Sequence, residues 1–151
     1  MSVPEIIELA EVETIRDGDK TIAIILHGSL RRDGVTFLTP PEYSQQLAFM
    51  RHPKGYRIKA HTHKKAPRAV DYTLEVLFIR SGKLRVDLYR DDKSYLQSIV
   101  LGADDTVLLV SGGHGLEFLE AAEVIEVKQG PYMGINLDKE QFDPLEAVEP
   151  G

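Results

Sequence analysis

The sequence predicts an all-β domain, a sandwich or barrel with little helix. Three observations carry that expectation. The apolar residues fall in short runs of about four to eight, the runs are rich in β-branched side chains, and Gly, Pro, Asp or Asn stand between them along most of the chain.

In chain order, PEIIELAEVETI (4–15) could hold a turn or two of helix. TIAIILHG (21–28), GVTFLTP (34–40), QQLAFMRHP (45–53) and YRIKAH (56–61) read as strands. So do LEVLFIRSG (74–82), LRVDLYRDD (84–92), YLQSIVLG (95–102), TVLLVSGG (106–113) and EVIEVKQG (123–130). The Ser81-Gly82 dipeptide is expected to join LEVLFIR to KLRVDLY as a strand pair, and RDDK (90–93) to join that strand to SYLQSIV. DKEQFDPLEAVE (138–149) is the second helical candidate, limited by Pro144. No long linker, low-complexity tract or repeat divides the chain, so one domain is expected. Within it, 1–44 supplies N-terminal strands packing on a barrel core of 45–132, and 133–151 forms a tail.

With 151 residues, 42% of them hydrophobic, the chain can bury one core and is too short for two ordinary domains. Lys and Arg number 18 against 24 Asp and Glu, and the net charge of -6 argues against a general nucleic-acid or membrane-surface role. Cysteine is absent, which excludes a disulfide framework and a thiolate metal site. MSVPEIIELAEVE has no charged-then-apolar signal pattern, and no apolar run approaches the ~20 residues of a spanning helix. A soluble cytoplasmic protein is the expectation.

The chemistry-bearing residues begin in GYRIKAHTHKK (55–65). On a strand, His61 and His63 would share a face and present two imidazoles side by side, a grip for a metal ion. Glu75 lies among apolar residues in LEVLFI, where a carboxylate is costly unless it is paired or bound to a cation. His114 follows a glycine pair in SGGHG, a bend that glycine adopts easily. Three imidazoles with one carboxylate suit a divalent transition metal, Fe, Mn, Ni, Co, Cu or Zn, with positions left for substrate or water. Glu75 could instead pair with Arg85 or Lys128, and His114 could be a turn residue. His27 and His52 read as ordinary surface or core histidines.

At these positions the chain resembles the cupin superfamily, whose first motif runs Gly, five residues, His-x-His, a short gap, Glu, six residues, Gly. Gly55, His61, His63, Glu75 and Gly82 reproduce it. The gap, Lys64 to Leu74, is longer than the family's usual one, an insertion that a barrel rim absorbs. Of the second motif Gly102 and His114 are present, while its Pro is missing and Phe118 stands where the family has Asn. The likeness covers roughly residues 45 to 130. It implies a double-stranded β-helix, the jelly-roll barrel, with His61, His63, Glu75 and His114 on the inner wall. Cupins include dioxygenases, isomerases, epimerases, decarboxylases, storage proteins and sensors, so the resemblance leaves the reaction open.

Charge is unevenly placed. Arg51, Lys54, Arg57, Lys59, Lys64, Lys65 and Arg68 fall within 51–70, a stretch without Asp or Glu. Arg57 and Lys59 share strand parity with the two histidines, which would aim them into the same cavity, where they suit a small anion such as a sugar phosphate, nucleotide sugar or keto acid. Lys64 and Lys65 fit a solvated rim equally well. In EVIEVKQGPY, Glu126 and Lys128 alternate with apolar residues, so they face either the cavity or solvent, and the turn after them could bring Tyr132 over the opening. Carboxylate, lysine and tyrosine suffice for proton transfer. The first expectation is therefore a metal-dependent isomerase or epimerase acting on a small anion. Alternatives are an Fe(II) dioxygenase and a non-catalytic metal or sugar sensor. The apolar side of YRIKA, with Tyr56, Ile58 and Ala60, needs a cover, either the N-terminal segment or a second copy in a homodimer.

Overall fold

In the computed structural model, which describes residues 8–144, the chain is all-β with almost no helix. The strands are β1 (Val12–Asp17), β2 (Lys20–Leu26), β3 (Gly34–Phe37), β4 (Ala48–Arg51), β5 (Glu75–Ser81), β6 (Leu84–Tyr89), β7 (Tyr95–Leu101), β8 (Thr106–Leu109), β9 (Gly113–Phe118) and β10 (Glu123–Lys128), followed by the single-turn helix α1 (Ile135–Asp138). Three antiparallel sheets result, ordered β1-β2-β8-β5-β10, β7-β6-β9 and β3-β4, and they do not close into a barrel.

Burial explains which strands are central. In β2 (KTIAIIL) and β8 (TVLL) nearly every side chain is buried, because both faces of the five-stranded sheet are covered. Ala23, Ile25, Val107 and Leu109 point to the main core, where they meet Leu84, Val86 and Leu88 of β6 and Leu101 of β7. Ile24 and Leu108 point the other way, beneath Tyr43 and Leu47 of the loop that leads into β4. The five- and three-stranded sheets thus pack face to face over one core.

The alternate side chains of β6 are polar and buried too, which is tolerable only because they satisfy one another. Arg85 donates from Nε to Asp87 at 2.9 Å and reaches Glu117 of β9, directly opposite in register, at 2.6 Å. Ser98 of β7, opposite Asp87, donates to the same carboxylate. Arg85 therefore pairs with Asp87 and Glu117.

Four expectations are corrected. The segment YRIKAH is no strand: residues 52–74 contain none, and 53–73 are exposed throughout, because no neighbouring strand supplies hydrogen-bond partners to that backbone. His61 and His63 accordingly do not stand on a sheet wall. The strands flanking Ser81-Gly82 are not paired with each other. Strand β5 pairs with β8 and β10, whereas β6 pairs with β7 and β9, so the turn carries the chain from one sheet to the other while both strands keep their apolar rows on the shared core. Gly82 makes that crossing possible at φ 81°, where a Cβ would lie 2.2 Å from the Ala121 carbonyl oxygen. The N-terminal helical candidate ends as β1, since pairing with β2 overrides its local pattern, and residues 1–7 lie outside the described residues. At the C-terminal end α1 stops at Asp138, residues 139–144 are not helical, and 145–151 again lie outside the described residues.

Candidate functional site

The pocket forms where the core between the two sheets runs out of apolar residues. On β5 the row Glu75, Leu77, Ile79 faces the core, with Leu77 and Ile79 packed in it and Glu75 at the strand's first position. The start of β5 is fixed by Gln129, whose side-chain oxygen accepts from the Leu74 backbone N–H at 2.6 Å. Across the gap, His114 of β9 is opposite the core residue Leu88, so His114, Leu116 and Phe118 form the inward row of that strand. His114 Nε2 lies 3.3 Å from Glu75 Oε2, and the two elements thereby bring an imidazole onto a carboxylate that is only 9% exposed.

Glycine sets the histidine's position. Gly112 has φ 69°, and a Cβ there would sit 2.3 Å from the Tyr89 carbonyl oxygen. Gly113 likewise leaves room for the Phe142 ring, whose edge would be 2.9 Å from an added Cβ. Phe142 stacks edge-on with Tyr89, ring centroids 5.2 Å apart, and with Lys139 it brings the C-terminal stretch over the opening. These two aromatic residues were not anticipated from sequence, because a lone Phe beyond the last strand and a Tyr in an apolar run carry no signal of a site.

The third wall is β10. Lys128 is opposite Glu75 and Glu126 is opposite Leu77, so the Glu126 and Lys128 row faces inward. Lys128 Nζ lies 3.7 Å from Glu126 and 5.4 Å from the centre of the Tyr132 ring. The open cavity has a volume of about 890 Å³ and is lined by Glu75, His114, Glu126, Tyr72 and Tyr89 among others. The hydrogen bond from His114, helped by the positive charges of His114, Lys128 and Lys139, holds the Glu75 carboxyl below its ordinary range against the upward push of burial.

Three of the residues singled out from sequence, Glu75, His114 and Glu126, therefore line the cavity; Lys128 stands beside them on β10, opposite Glu75, and Tyr132 lies against Lys128 without lining the cavity. Arg57, Lys59, His61 and His63 do not join them and lie on the exposed segment. There the His61 and His63 rings are edge-on, centroids 5.3 Å apart, and His61 Nδ1 is 2.8 Å from the Lys59 carbonyl oxygen. Among the described residues no group of three or more His, Cys, Asp or Glu side chains stands close enough to hold a metal ion. Of the four expected donors a single chain in this arrangement brings two there, the Glu75 carboxylate and the His114 imidazole, a pair that suits a borderline cation. Among the described residues no helix is long and apolar enough to cross a membrane. Comparison with known proteins finds no matching family model, no matching curated protein and no matching solved structure.

Proposed function

We propose that this chain is a cupin-type jelly roll whose Glu75–His114 pocket is the centre of a metal-dependent enzyme acting on a small anion by isomerase or epimerase chemistry. The observation that carries the reading is the His114–Glu75 contact at 3.3 Å inside an open cavity that Glu126 of β10 also lines, with Lys128 opposite Glu75 in the strand register. Two carboxylates, Glu75 and Glu126, and the His114 imidazole converge there on the face that elsewhere is packed with aliphatic side chains. Such convergence in a cavity favours a reaction centre over a purely structural ion pair.

Glu75 and His114 are the two pocket groups that would hold the metal; His61 and His63, which lie on the exposed segment outside the pocket, would have to be brought to it to complete the set. The bound ion would polarise a carbonyl or hydroxyl oxygen of the substrate. Glu126, 3.7 Å from Lys128, would accept a proton from the carbon next to that oxygen. Lys128 or Tyr132 would return one, and the substrate is isomerised with no net loss of atoms. Arg57 and Lys59 would bind its carboxylate or phosphate.

The test is hydrogen exchange with solvent. Sugar phosphates, nucleotide sugars and keto acids are screened for thermal stabilisation of metal-loaded protein, and the best is incubated in heavy water and followed by NMR. Deuterium is expected at one carbon-bound position, with Glu126→Gln slowing its appearance by roughly 100-fold or more. Oxygen uptake with iron bound, or tight binding with no exchange, would replace the reading with a dioxygenase or a sensor respectively.

A further inference from the structure

The two sheets end in strands that lack a second neighbouring strand among the described residues. Strand β9 is the edge of the three-stranded sheet and β10 the edge of the five-stranded one. Both leave backbone N–H and C=O groups unpaired along one side, the arrangement that accepts an added strand. Their apolar side chains are also uncovered: Leu116, Phe118, Ile125 and Val127 are between 42% and 56% exposed.

The exposed segment 53–73 has the complementary defect. It alternates Tyr56 and Ile58 with Arg57 and Lys59 in the pattern of a strand, yet it lies on no sheet of its own chain. Its two ends are held by β4 and β5, and its last residues, Asp71 to Thr73, line the cavity of their own chain, which leaves the exposed stretch before them as an arm. Charge complements the shape: 51–70 carries seven Lys and Arg residues and no acid, whereas 113–128 carries Glu117, Glu120, Glu123 and Glu126, of which Glu117, Glu120 and Glu126 already meet Arg85, Lys83 and Lys128 and Glu123 meets no cation among the described residues.

We infer that the arm adds as an antiparallel strand to the free edge of β9 in a second copy of the chain, and that the second copy returns its own arm in the same way. This twofold exchange covers the β9 edge of both copies by one repeated contact. The register that keeps the imidazoles on the inward row of β9 sets His63 opposite His114, His61 opposite Leu116 and Lys59 opposite Phe118. The pocket of each copy is then completed by two histidines of the other. This last part rests on the metal reading above; the exchange itself does not.

The absence of cysteine gives a clean test. Light scattering at micromolar concentration should give twice the 16.9 kDa chain mass. Under mild oxidation the full chain carrying both Lys59→Cys and Phe118→Cys should run as a covalent dimer on a non-reducing gel, in a yield several-fold above that of Lys59→Cys with Val100→Cys on β7. A monomer mass would overturn the exchange. So would a disulfide closed within one chain, which shows the arm on its own β9, or equal yields from the two pairs. A covalent dimer that binds no metal leaves the exchange intact and removes the metal reading, whereas a monomer that binds metal does the reverse.

Discussion

Glu75 shows how much one residue can disclose and how much it withholds. Its apolar neighbours in LEVLFI mark it as a carboxylate needing a partner, and that need is legible in sequence. Which partner meets it was not: Arg85 and Lys128 were candidates, and His114, thirty-nine positions along (114 − 75 = 39), is the one in contact. The pairing depends on β5 and β9 belonging to different sheets that face each other, information that no local pattern holds. Glu75 has a lowered pKa, so its contribution to stability is present above the ordinary carboxylate value of 4.5 and is lost as pH falls through the lower folded value. In chelator-treated protein, Glu75→Gln should therefore be less stable than wild type at pH 7, by about 1.5 to 3 kcal/mol for a charged hydrogen bond, with the gap closing in acid below pH 4.5. Urea melts across that range measure it, and a gap that widens in acid would reverse the assigned shift. Asp87 gives a second residue-level case. Asp87→Ala removes one partner of the buried Arg85 and should cost about 3 to 5 kcal/mol in the same melts. A loss under 1 kcal/mol would show the network to be dispensable.

At the level of elements, the strands rich in β-branched residues and flanked by turn residues, β2, β5, β6, β7, β8 and β10, were legible because period and punctuation agree. GHGLEF was not read as a strand, since its two glycines conceal the alternation of His114, Leu116 and Phe118 that makes it the inward wall. YRIKAH fails the other way. It has the alternation but no neighbour within its own chain, and a strand is a property of a pair. The glycines around His114 make a sharp element-level prediction. Gly112→Ala places a Cβ at φ 69° and 2.3 Å from a backbone oxygen, and should destabilise by roughly 1 to 3 kcal/mol or displace His114. Gly115→Ala meets nothing nearer than the Tyr89 ring at 3.9 Å and should be close to neutral. Thermal melts of the two variants, together with the His114 ring shifts in NMR spectra, compare them; equal effects would show that the bend at Gly112 does not set the histidine.

Across the whole molecule, the acidic total of -6 conceals a division into a basic arm and acidic edges. Such a contact is screened by salt, so arm exchange should weaken as ionic strength rises above about 0.15 M, where charges act over only ~8 Å. The same arm links charge to substrate class. Lys59→Met keeps most of the stem and removes the charge, and it should retain metal while binding the best-stabilising anion roughly ten- to a hundred-fold more weakly. A titration in which Lys59→Met matches wild type would detach the arm from substrate binding. Above these contingent parts stands the proposed metal site, and calorimetric titration of chelator-treated protein with Zn²⁺, Mn²⁺, Ni²⁺ and Fe²⁺ tests it most directly. One ion per chain is expected, bound more weakly as pH drops below the ordinary imidazole value of ~6.5 and lost in His114→Ala and in His61→Ala, each still folded. Full stoichiometry in both variants, or an affinity that stays flat down to pH 5, would contradict histidine ligation and with it the proposed reaction centre.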